Sequence, residues 1–92
     1  MLSVSWKTDA LYDLVEIIDY VEQRNPIAAA NLQADIVSVA ESLPNHPHLY
    51  RRGRVAGTRE AVVHPNYILV YLVGENVIEI LHVIHSRQQF PF

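Results

Sequence analysis

Leu2, Val4 and Trp6 alternate with Ser3, Ser5 and Lys7, the period of two that marks a short strand with one covered side. The period then lengthens. Leu11, Leu14, Val15, Ile18 and Val21 recur at helical spacing, Asp13, Glu16, Asp19 and Glu22 fill the remaining faces, and Thr8 or Asp9 stands ready as a cap. Asn25-Pro26 ends that helix and starts another, with Asn25 suited to the cap and Pro26 to the first helical position. The second apolar stripe is Ala29, Leu32, Ile36, Val39, Ala40 and Leu43, and it stops by Leu43 because Pro44 disfavours helical geometry in its predecessor. A link this short predicts an antiparallel helix pair, and Pro44 to His48 reads as a loop.

After Arg54 the pattern is that of strands. Arg59, Ala61 and Val63 share one side of a strand while Glu60, Val62 and His64 share the other, and Pro65-Asn66 turns the chain. Tyr67 to Val73 is almost wholly apolar, too short for an independent helix and rich in β-formers, as an inner strand requires. Gly74-Glu75-Asn76 turns again into Val77 to Ile84, completing an antiparallel meander. The first strand joins the same sheet, because alone its backbone groups and Trp6 are left unsatisfied. The expected fold is α+β, strand-helix-helix-strand-strand-strand, with a helical hairpin on one mainly antiparallel sheet.

Length and composition narrow this further. The 92 residues, half of them apolar, suffice for one domain with a single packed interface between two layers, and residues 1–92 are read as that domain. The absence of cysteine excludes disulfides and thiolate zinc sites. His46-x-His48 and His82-x-x-His85 lack metal-site spacing, and Gly57-Thr58 lacks the following helix of a phosphate loop, so neither metal nor cofactor is expected. No signal peptide or membrane-spanning run is legible, which makes the cytoplasm the expected location.

Net charge is −3, yet it is unevenly spread. The chain through Glu41 carries −5; from Ser42 onward Arg51, Arg52, Arg54, Arg59 and Arg87 outnumber the acids to give +2, and all five histidines lie there. The two halves therefore favour different partners.

Several short signatures coincide: Trp6, the Asp13-Leu14 pair in the first helix, Pro26 with Ala28-Ala29 in the second, Gly57-Thr58-Arg59-Glu60 opening a strand, Tyr67 to Tyr71, and His85 with Pro91 at the end. In this order and length the chain resembles the RelE/ParE superfamily of bacterial type II toxins. That resemblance implies the fold above, a cognate antitoxin, an oligomeric toxin–antitoxin complex, and one of two targets: messenger RNA, cleaved on or off the ribosome, or DNA gyrase, inhibited without cleavage. A third reading is an antitoxin-binding module without toxicity.

In the RNA-cleaving branch the central strand reads Arg-Leu-Val-Tyr where this chain has Ile68-Leu69-Val70-Tyr71, so Ile68 replaces the phosphate-contacting arginine. Cleavage needs a base, an acid and a cation for developing phosphate charge. The residues therefore lean towards gyrase. For a ribonuclease, His85 is the candidate acid or base and Arg59 the phosphate stabiliser, with Arg87 in support. Arg51, Arg52, Arg54, Arg87 and Phe90 are the candidates for binding a partner or target, and His82 is read as a hydrogen-bonded seam residue sharing a face with Ile78, Ile80 and Ile84.

Overall fold

The computed structural model describes residues 2–92. Its elements are β1 (Ser3–Trp6), α1 (Thr8–Glu22), α2 (Pro26–Ser42), a 3-10 turn (Leu43–Asn45), β2 (Arg51–Arg52), β3 (Thr58–His64), β4 (Tyr67–Val73) and β5 (Val77–His85). The strands form one sheet in the order β1-β5-β4-β3-β2, with β1 parallel to β5 and every other pair antiparallel. The first strand joins the meander as its sequence requires.

β4 explains its own composition. One side, through Tyr67, Leu69 and Tyr71, meets the helices with Ala61, Ile36, Leu43, Ile78, Ile80 and Val83. The other side, through Ile68 and Val70, is covered by Ile84, Leu81 and Phe90. A strand buried on both faces has no need of alternation, so the run is continuously apolar.

α2 begins as its sequence indicates. Asn25 Oδ1 accepts a hydrogen bond from the Ala28 amide at 3.1 Å, and Pro26 occupies the first turn, where a missing N–H costs nothing. Ala29, Leu32, Ile36 and Ala40 are all buried. α1 differs from expectation in two respects. Lys7, with no side-chain cap, precedes the helix, and Thr8 is already helical. Leu11 and Val15 are 48% and 66% exposed, and the covered arc is instead Ala10, Leu14, Ile17, Ile18 and Val21. The arc is rotated because Asp13 faces β5: its Oδ2 accepts from the Val83 amide at 3.0 Å, beyond the point where β1 stops pairing with that strand.

Two further departures shape the surface. The arginine-rich connector contains β2, which pairs Arg51 with Glu60 and Arg52 with Arg59. The pairing of β4 with β5 shifts register between Val70 and Tyr71, leaving Leu81 as an extra residue between His82 and Ile80. His82 consequently lies opposite Val70, with Ile84 on the face away from the helices, and not with Ile78 and Ile80. Gly57, at φ 83°, allows the turn from β2 into β3. Gly57→Ala should destabilise the domain by about 1–2 kcal/mol, the left-handed penalty for a residue with a Cβ, measured as a lowered urea midpoint at unchanged slope. Among the described residues no helix is long and apolar enough to cross a membrane.

Candidate functional site

Arg51, Arg52, Arg59 and His85 lie on strands, whereas Arg54, Arg87 and Phe90 lie on the segments beside them. Arg59 points to the helix side, as Ala61 does, and its Nη1 donates to the Tyr50 and His48 carbonyls at 2.8 and 3.2 Å. It thereby fastens the segment following α2 to β3. Tyr71, its neighbour across the strands, does likewise, donating its hydroxyl to the Pro47 carbonyl at 2.9 Å. Burial pushes the Tyr71 phenol above its ordinary pKa; the Arg59 charge offsets part of this and Tyr50 adds to it.

His85 is the last residue of β5 and lies opposite Tyr67, with their rings edge-on at 5.4 Å. The Arg87 amide donates to His85 Nδ1 at 3.1 Å, so this nitrogen is an acceptor and Nε2 carries the proton of the neutral ring. Both Arg59 and His85 face the helix side. They are nevertheless remote: four residues along β4 separate their partners Tyr71 and Tyr67, and two strand spacings separate β3 from β5, placing them about 16 Å apart. The structure does not bring these two together.

The arginine cluster is divided between the two faces. Glu60 is 2% exposed on the side away from the helices, where Arg51 Nη2 donates to it at 3.1 Å and Arg54 donates through both its amide, at 2.9 Å, and its Nε, at 3.1 Å. Burial acts to raise the Glu60 pKa, but the amide and guanidinium of Arg54, together with Arg51, outweigh it and hold the carboxyl below its ordinary range. Arg59 and Glu60 are thus not partners, as the alternation along their strand requires. Arg52 and Arg87 are exposed and form no ion pair among the described residues.

The chain's end covers the sheet on Glu60's side. Phe90 is half-buried against Ile68, Val70 and Ile84, its ring 5.7 Å from His82 and 5.6 Å from the Arg54 guanidinium. Phe92 closes on the same histidine at 5.2 Å. Phe90 and Arg54 therefore meet each other, on the face opposite Arg59.

Asp13 entered the sequence reading only as part of the Asp13-Leu14 signature, without a site role. Besides the Val83 amide, its Oδ2 contacts His82 Nδ1 at 2.9 Å, which makes His82 the bonded seam residue expected of it. The available signal was a carboxylate directly beside Leu14 and between Ala10 and Ile17, inside the covered arc of α1. Asp13 and Glu16 also wall a cavity of about 530 Å³ whose other side is Tyr67 and His85. The imidazole expected to do acid–base work thus lines a cavity with two carboxylates, and among the described residues no arginine lines it. Among the described residues no group of three or more His, Cys, Asp or Glu is placed to hold a metal.

Comparison with known proteins agrees with this architecture. The family model described as the ParE toxin of the type II toxin–antitoxin system parDE matches residues 4–90. Y4kP of Sinorhizobium fredii is 39% identical over 96% of this chain and 92% of its own length. Toxin RelE2 of Caulobacter vibrioides is 36% identical over 96% of this chain and 99% of its own. A solved structure of the chromosomal ParDE toxin–antitoxin system from P. aeruginosa superimposes with a TM-score of 0.82 at 25% identity, covering 92% of this chain and 96% of that one. With this two-helix, five-stranded fold and a family match over nearly its whole length, the chain belongs to the ParE toxin family of type II toxin–antitoxin systems.

Proposed function

We propose that the chain is a cytoplasmic toxin, neutralised in an oligomeric complex by a cognate antitoxin, and that it acts by inhibiting DNA gyrase without cutting RNA. The observation that carries this reading is the setting of His85. An RNA phosphate entering that cavity meets Asp13 and Glu16 in place of a cation. Arg59 is about 16 Å away and bound to two carbonyls, and Ile68 is buried on the other face. Among the described residues lining the cavity there is no arginine or lysine to stabilise developing phosphate charge. Arg52 and Arg87, exposed and without an ion pair among the described residues, are the proposed contacts for antitoxin or gyrase, while Arg51 and Arg54 stiffen the β2 edge that carries Arg52 through Glu60. The outward apolar residues of α1, among them Leu11, Tyr12 and Val15, are the surface an antitoxin segment would cover.

The test is induction of the chain without its antitoxin, followed in parallel by plasmid supercoiling and by mapping of new RNA 5′ ends. Loss of supercoiling with intact transcripts is expected. Codon-positioned cuts that vanish in His85→Ala or Arg59→Ala would replace this reading with the ribonuclease. Normal growth with tight antitoxin binding would replace it with the non-toxic binding module.

A further inference from the structure

The cavity beside His85 has a feature that neither inhibition nor cleavage uses. Tyr67 forms part of its floor and is 8% exposed, yet its hydroxyl makes no hydrogen bond to the described residues. Among the described residues no fully buried side-chain oxygen lacks a partner, so this hydroxyl is not sealed in the core, and Tyr67 lines the cavity. Glu16, exposed on α1, stands on the wall, and Asp13 adds a second carboxylate, of which only Oδ2 is engaged by His82 and Val83. Tyr20 forms the rim, and the chain's own Arg24 lays its guanidinium 3.7 Å over that ring. The cavity thus offers two carboxylates, a free phenol and an aromatic rim that already holds one guanidinium.

We infer that this cavity is the receptor for an arginine side chain presented by a bound polypeptide. A guanidinium is planar, permanently charged and able to donate in a fork to a carboxylate and a neighbouring hydroxyl, which matches Glu16 and the Tyr67 hydroxyl. Charge selects the same occupant, because α1 carries Asp9, Asp13, Glu16, Asp19 and Glu22 and repels an acidic segment. The naming of the antitoxin as the polypeptide rests on the proposed toxin function; the chemistry of the cavity does not.

The probe is n-butylguanidinium, titrated into the isolated full-length chain and followed by amide and side-chain NMR shifts. Saturable shifts centred on Glu16, Asn66, Tyr67 and His85 are expected, with butylammonium weaker and butanoate inert. Glu16→Gln should weaken binding about tenfold, by loss of a charge-assisted pair, and Tyr67→Phe about threefold. Both variants should keep the parent melting temperature, since Glu16 is exposed and the Tyr67 hydroxyl has no internal partner to lose. Shifts that do not saturate, or that are unchanged in both variants, overturn the assignment even where an antitoxin binds tightly. A second arm adds a candidate cognate antitoxin: if it binds, it should block the probe, and Glu16→Gln should weaken it. Saturable probe binding by a chain that binds no antitoxin sustains the cavity and overturns the toxin reading alone.

Discussion

Removing both guanidinium groups from Glu60, in Arg51→Ala/Arg54→Ala, should destabilise the domain by about 3 kcal/mol at neutral pH, since it strands a charge that is 2% exposed. The lower end of the range for a broken buried pair applies, because the Arg54 amide still donates and the carboxyl can take up a proton. For a domain of this size the melting temperature should fall on the order of 15 °C. Adding Glu60→Leu to the double variant should recover most of the loss, because an apolar side chain opposite Val70 needs no partner.

The dependence on pH should invert between parent and double variant. In the parent, Glu60 is held below its ordinary value of 4.5, so the folded state resists protonation longer than the unfolded chain. Its contribution is therefore complete above the unfolded pKa and is lost as pH falls through the folded one. In the double variant burial is less opposed, the carboxyl is pushed upward, and acidification should reduce the deficit relative to the parent. Thermal melts at pH 7 and pH 4 measure both; a deficit that grows on acidification would falsify this account of Glu60.

These two groups also show what a sequence can disclose. The alternation of Arg59 and Glu60 was legible, and it correctly separated them. Their actual partners were not, because β2 is two arginines with no hydrophobic period, and only its pairing with β3 puts Arg51 opposite Glu60. α2 was legible in full since a capping asparagine, a proline and a clean stripe agree. On α1, apolar residues occupy almost every side, from Leu11 and Tyr12 through Leu14, Val15, Ile17 and Ile18 to Tyr20 and Val21, so periodicity alone does not choose the inward arc. What chooses it is Asp13, whose contacts lie 69 and 70 residues away. The candidate site suffered from the same locality. Arg59 fell on the side its alternation gives, but His85 did not, since the irregularity at Leu81 puts it on the face of Ile78, Ile80 and Val83, and the separation of the two depends on pairing with β4. The bulge at Leu81 has no local signature, and it redirects His82.

Tyr71 is where local and distant constraints converge, and truncating it should have the largest effect of any substitution considered. It is fully buried between the sheet and the helices, and its hydroxyl reaches the Pro47 carbonyl. Tyr71→Ala should cost about 3–5 kcal/mol by opening a cavity in the middle of the core, a large part of the total stability of so small a domain. Tyr71→Phe separates the two contributions: the ring stays, one hydrogen bond is lost, and about 1 kcal/mol is expected. That single bond has a second consequence, because Pro47 belongs to the segment Arg59 also ties down through His48 and Tyr50. Hydrogen exchange across residues 46–50 should accelerate in Tyr71→Phe while α2 stays protected. The parent should also weaken in alkali. Burial raises the Tyr71 pKa above 10, so its contribution is complete below that value and is lost as pH rises through the folded pKa, where the unfolded chain has already ionised. Tyr71→Phe should lose this alkaline slope; equal slopes in both proteins would assign the effect to another group and leave the hydroxyl with a purely neutral role.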